Sequence, residues 1–301
     1  MNLMEKLLTD QKESIKKIID PNNNAVSSFE LIMRSFNYFL SSNHSLGKDY
    51  DYEKREASMQ IYKLLGWNDE KSFDVINSFY IIFKCSLVYS NVLSKNTQTS
   101  YCFDKGVFCY RNKFGYTPIG KKKHIEKIND EETTCHKAIY STFINEDKNA
   151  KKIEKLAALS HTVANFCPVP NAKFNIMKGC MAYDFLPLFV DKIEDCICNN
   201  TSMCCEIKQD GKIKKIDADI KEVTKWHEWL VNNKDKYALS DYYDVSEHKR
   251  LIGNPLFKNQ KLDNPLPQNQ EEVGVCLDNM IERIYNRADY LNMLSMKGRK
   301  K

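Results

Sequence analysis

A mainly α fold, a compact multi-helix domain with two small β-hairpins, is what this chain predicts, on three observations. Apolar residues recur at helical spacing through most of its length. Glycine and proline number only 10 and 8 in 301 residues, too few for an all-β architecture, which needs a turn residue every few positions. Hydrophobic residues make up 42% and charged residues 28%, the balance of a folded chain and not of a disordered one. One mainly helical domain spanning residues 1–301 is expected, with a proline-rich connector over 253–270 and a basic, mobile tail over 297–301.

The elements follow in order. In residues 1–20, Leu3, Leu7, Leu8, Ile15, Ile18 and Ile19 keep a helical spacing that Pro21 stops. A second helix starts near Ser27 or Ser28 and turns Phe29, Ile32, Met33, Phe36, Phe39 and Leu40 to the core. After a polar link, a third runs through Met59, Ile61, Tyr62, Leu64 and Leu65 and ends at Gly66, where a left-handed cap carries no Cβ penalty; Asn68 opens a fourth. Residues 72–93, the most apolar stretch and free of glycine and proline, read as a long buried helix. Alternation from Tyr101 to Tyr110 around Asp104–Gly106 predicts one hairpin within 99–120. Asp210-Gly211, between alternating segments over 205–216, predicts the other. Further helices are expected at 130–144, 149–164, 218–232 and 271–296. Pro255, Pro265 and Pro267 keep the connector extended, and the last helix must dock across it.

The bulk properties limit the setting. Eleven cysteines, an odd and scattered set, argue for reduced thiols, and an early charged residue at Glu5 argues against a signal peptide, so a cytoplasmic location is expected. The apolar run over 79–89 is broken by Lys84 and too short to cross a bilayer, so no membrane association is expected. Net charge is +5 and the sequence pI is near 8.5, only mildly attractive to polyanions. There is no phosphate-binding glycine loop, nucleophile elbow, zincin helix or kinase signature, which withdraws support from the commonest enzyme classes.

One segment stands out. His161, Thr162 and Asn165 lie where a helix meets Pro168 and Pro170, with Phe174-Asn175 following, so polar side chains are fixed at a rigid helix exit. Such an exit serves equally as a capped helix end or as a functional site, including a small-molecule pocket at the turn 168–175. Other clusters are more ordinary. Lys121, Lys122 and Lys123, with Arg111 and Lys113 among Tyr110, Phe114 and Tyr116, mix phosphate-binding charge with stacking rings, or form a solvated loop. Cys196, Cys198, Cys204 and Cys205 are spaced too tightly for a structural zinc site, and plain thiols are expected. Glu282, Arg283, Asn286, Arg287 and Asp289 read as the exposed charged face of the last helix, and His227 between Trp226 and Trp229 as a packing residue.

His161, Thr162, Asn165, Phe166, Pro168, Pro170, Phe174, Asn175, Tyr183 and Asp184 resemble a family of bacterial proteins, mostly from Firmicutes and Bacteroidetes, in which a helix ends in His-Thr-Ile-Gly-Asn-Phe. Val163 and Ala164 depart from that pattern, and the aromatic block over 226–243 extends the likeness. The resemblance implies a bacterial or mobile-element setting and no activity. A more distant likeness joins His124-Ile125 and Val163 to Phe166 with Asn175 to HNH-type nucleases related to modification-dependent restriction enzymes. It implies a divalent metal, a water-activating His124 or His161, and Asn165, Asn175 and Asp184 as polar and acidic members. His124 lacks the preceding acid and following proline of that motif. Two functions are therefore carried forward: a macromolecule-binding protein, nucleic-acid-associated or defence-related, and a metal-dependent HNH-like nuclease or phosphodiesterase. No cofactor beyond that conditional metal is named, and the partner is protein or nucleic acid.

Overall fold

The computed structural model describes residues 62–63, 65–77, 100–104, 107–112, 115–118, 152, 155–156, 159, 162–209 and 212–298. Half of the described region is helical and 16% is strand. Four helices share it with three two-stranded antiparallel sheets and one of three strands. The expectation of a mainly α fold with two hairpins is thereby corrected to a mixed one. The expected helices over 1–20, 27–40 and 130–144 lie outside the described residues.

Strand β1 (Phe73–Val75) stands where a long helix was expected to begin. Its partner is β5 (Phe166–Pro168), in the register Phe73 to Pro168 and Val75 to Phe166. The ladder is lengthened by Val169 N–H to Ser72 O at 2.9 Å and Ile76 N–H to Asn165 O at 2.8 Å. A distant ladder satisfies these backbone groups where a local helix would have done so, and the aromatic Phe73 and β-branched Val75 suit a strand. Asn68 likewise opens no helix, although Gly66 takes the expected left-handed φ of 74°. Strands β2 (Ser100–Asp104), β3 (Val107–Asn112) and β4 (Gly115–Pro118) form a three-stranded meander, one strand more than the expected hairpin.

Helices α1 (Ala172–Ala182) and α2 (Leu186–Asn199) are not among the expected elements. Asn171 caps α1 by accepting the Phe174 N–H at 2.9 Å, and Pro187 occupies the first turn of α2, where a missing N–H costs nothing. Between them Tyr183 and Asp184 both have positive φ, 53° and 55°. Strands β6 (Met203–Gln209) and β7 (Lys212–Ala218) form the second expected hairpin and lead into α3 (Ile220–Asn233), capped by Asp219. Val223, Trp226 and Leu230 form the buried stripe of α3, and Phe174 contacts both Phe189 at 4.9 Å and Trp226 at 5.6 Å.

The small sheet of β8 (Tyr243–Val245) and β9 (Leu251–Gly253) is covered by α2. Asp191 accepts the Gly253 N–H at 2.7 Å and Glu194 the Leu251 N–H at 3.0 Å. Two carboxylates one helical turn apart thus close an otherwise open strand edge. A Cβ on Gly253 would lie 2.2 Å from Pro187 O, so only glycine permits this approach. The 29-residue α4 (Gln270–Gly298) docks across the connector as expected: Asn279 reaches Leu256 O, and Arg283 reaches Asn254 O and Pro255 O. Its buried Val273, Cys276, Leu277, Met280, Ile284 and Leu291 belong to the same core cluster as α1 to α3.

Candidate functional site

Five residues, Phe73 to Asn77, receive the polar side chains that the sequence singles out. Asn165 is fully buried, and its amide spans the Asn77 backbone: Asn77 N–H donates to Oδ1 at 3.0 Å and Nδ2 donates to Asn77 O at 2.8 Å. This double bond imitates a strand pairing one step beyond the β1–β5 ladder. Asn175 Nδ2 donates to Phe73 O at 3.3 Å. Asp184 forms a short ion pair with Lys178, whose ammonium also meets Asp74 Oδ2 at 2.9 Å and Val75 O at 2.7 Å. The Leu186 N–H donates to Ile76 O at 3.2 Å, and Asn77 Nδ2 donates to Tyr242 Oη at 3.1 Å. Asn165, Asn175 and Asp184 therefore converge, yet on a backbone segment that they fasten in place. His161 and His124 lie outside the described residues.

Lys178 at the centre of this arrangement is 1% exposed. Burial disfavours its charge, but Asp184 and Asp74 more than compensate and hold the ammonium protonated well above its usual range. Two carboxylates around one buried cation compensate its charge and leave the group with one net negative charge. No cluster of three or more His, Cys, Asp or Glu suited to a metal occurs among the described residues.

Arg287 corrects the reading of the last helix as a solvent-exposed charged face. It is 2% exposed, lies over the Trp67 ring at 5.8 Å, and donates to Ala164 O at 2.6 Å, Val163 O at 3.3 Å and Tyr237 O at 3.1 Å. It gives Ala164 O a donor at the turn 163–165 and adds a second donor to Val163 O, which already accepts the Phe166 N–H. His227 does more than pack, since its Nε2 lies 3.3 Å from Glu194. Cys198 donates to the same carboxylate at 3.4 Å, which pushes the thiol up, and burial pushes Cys167 up to about 12. Neither is an activated nucleophile. Of the residues read as phosphate contacts, Arg111 lies on β3, and Lys113, Lys121, Lys122 and Lys123 fall outside the described residues.

A cleft of about 710 Å³ opens beside the turn 169–171, bounded by 69–72 and by the N-terminal half of α3, with Trp226 and Trp229 in its lining. Two of its carboxylates are neutralised by lysines that do not line it: Glu222 by Lys173, and Glu70 by Lys236 at 2.8 Å, with the Tyr237 hydroxyl donating to Glu70 as well. Lys71, Lys221 and Lys225 line the cleft, are exposed, and have no ion-pair partner among the described residues. Asp69 and Asp219 supply the opposing charge.

No family model matches the chain. Comparison with curated proteins and with solved structures also returned no match. The likeness of the segment from His161 to Asp184 to a bacterial family therefore rests on those residues alone. Among the described residues no helix is long and apolar enough to cross a membrane.

Sequence reasoning missed Lys178 and the lysines of α3, and placed Arg287 on an exposed face. The available signal was the density of Lys212, Lys214, Lys215, Lys221 and Lys225 within fourteen residues that hold only Asp217, Asp219 and Glu222 as acids. Burial of Lys178 and Arg287 has no such signal, because both look like ordinary surface cations on helices.

Proposed function

We propose that this protein is a macromolecule-binding component whose partner is anionic, a nucleic acid, and that the cleft beside α3 is its contact surface. The observation that carries the reading is the charge arrangement: the cleft's half-buried carboxylates are neutralised by Lys173 and Lys236, while Lys71, Lys221 and Lys225 stay available at its margin. Cations without internal partners gain most from a phosphate backbone, through release of its condensed counterions. The nuclease alternative asks Asn165 and Asp184 to serve water or metal, whereas both amide atoms of Asn165 are engaged by Asn77 and Oδ1 of Asp184 by Lys178. The bacterial or mobile-element setting belongs to the same proposal, on the strength of the resemblance described above.

Fluorescence anisotropy of a labelled oligonucleotide, at low and raised ionic strength, tests it. Lys221→Glu with Lys225→Glu is expected to weaken binding by about tenfold or more and to lower the salt dependence by roughly two phosphate contacts. Two of the three tryptophans line the cleft, so intrinsic fluorescence gives an independent readout. Unchanged affinity with an unchanged salt slope would remove the cleft from consideration.

A further inference from the structure

We propose that the β6–β7 hairpin is a groove-binding arm that makes duplex nucleic acid the partner; the inference rests on the anionic-partner reading above and specifies it. Among the described residues the hairpin's buried positions lie at its base. Met203 and Ala218 are buried opposite each other, and Cys205 and Ile216 pack against the core from the next inward pair. Beyond them the register continues through Ile207 to Lys214, Lys208 to Ile213 and Gln209 to Lys212, while Ile213 is 72% exposed and Lys214 and Lys215 are exposed as well.

Strand geometry then sets what such an arm fits. The three pairs beyond the anchored base, Ile207–Lys214, Lys208–Ile213 and Gln209–Lys212, give a projecting ribbon about 7–10 Å long at ~3.4 Å rise, two strands wide at ~4.8 Å spacing. A major groove about 12 Å wide admits a two-stranded ribbon of this kind. Alternation places Ile213 and Lys215 on one face, where Lys215 pairs with Asp217 at 3.2 Å and stands opposite Glu206, and Lys214 on the other face, so the ribbon offers an apolar contact and, in Lys214, an exposed cation without an ion-pair partner among the described residues. Between two phosphate walls Lys214 meets charge while the isoleucine meets base edges, where a thymine methyl is the matching apolar group. A single strand has no such walls and draws on the cleft lysines alone.

The arm and the cleft adjoin. Strand β7 ends at Ala218, one residue before the Asp219 cap of α3, the helix that carries Lys221 and Lys225. Lys173 links them laterally: it pairs with Glu222 in the cleft lining, and its charge also bears on Asp217 of the hairpin. A bound duplex would therefore run from the arm along the start of α3.

The test compares a labelled duplex with its single strand, using the wild-type chain, the cleft variant K221E/K225E and a hairpin variant, Ile213→Ser with Lys214→Glu. Both hairpin positions are exposed, so the variant's melting temperature should match wild type; Ile213→Ser alone serves if it does not. The expected result is tighter wild-type binding to duplex, a loss of about tenfold in duplex affinity in the hairpin variant with single-strand binding retained, and weakening of both ligands in the cleft variant. Wild-type duplex affinity in the hairpin variant, with loss in the cleft variant, overturns the arm and leaves the anionic-partner reading standing. Equal loss for both ligands overturns groove recognition in particular. No binding by the wild-type chain at low salt removes both readings.

Discussion

Replacing Asn165 by alanine separates a fastening residue from a reacting one. The substitution removes the acceptor of the Asn77 N–H at 3.0 Å and the donor to Asn77 O at 2.8 Å. Asn165 is 0% and Asn77 1% exposed, so water cannot replace either bond. Each buried polar group left without its partner costs about 1–3 kcal/mol, so two give about 2–6 kcal/mol, a large part of the roughly 5–15 kcal/mol that holds a typical domain. Asn165→Asp should cost at least as much, because it keeps the acceptor, loses the donor and buries a charge. Urea unfolding followed by tryptophan fluorescence reads the effect as a lower midpoint at constant slope. A loss below about 1 kcal/mol would refute the argument that Asn165 bonds the segment 73–77 into the fold.

Two further outcomes follow from the way α2 covers strand β9. Gly253→Ala would put a Cβ 2.2 Å from Pro187 O, backbone against backbone, so a drop in melting temperature comparable to the worst overpacked cores is expected, and a near-wild-type value would contradict the close approach. The two carboxylates on that edge should respond to pH in opposite senses. Burial works against the charge of Glu194, but the Leu251 N–H, the Cys198 thiol, the Arg250 guanidinium and His227 outweigh it and hold the carboxyl below its usual range. Its contribution is present above the unfolded value of about 4.3 and is lost as pH falls through the folded value. Burial raises Asp191 despite the Gly253 N–H, so its ionisation costs stability as pH climbs from the unfolded value through the folded one. Glu194→Gln should therefore lower the neutral-pH melting temperature and flatten its acid fall. Asp191→Asn, which keeps an oxygen for Gly253, should hold or raise it; shifts of the same sign in both variants would refute the assignment.

Periodicity and turn chemistry alone determined the hairpin around Asp210-Gly211, the amphipathic α3, the long α4 and its docking over the proline-rich connector, because each is specified by neighbours within a few residues. The exit after His161 was also legible as a fixed polar turn, and Asn165, Asn175 and Asp184 do gather on one segment. What they gather on was not legible. Residues 73–75 open an apolar run whose periodicity does not tell helix from strand, and pairing with β5, more than ninety positions away, makes them a strand. Helix α1 shows no clean stripe, since its buried set of Phe174, Met177, Lys178 and Ala182 includes a lysine whose charge is acceptable only beside Asp74 and Asp184. The same holds for Arg287, which a sequence reader places in water and the fold places over Trp67. Local sequence sets period and caps; whether a charged group is buried depends on partners brought from elsewhere in the chain, and those are decided only when the tertiary structure forms.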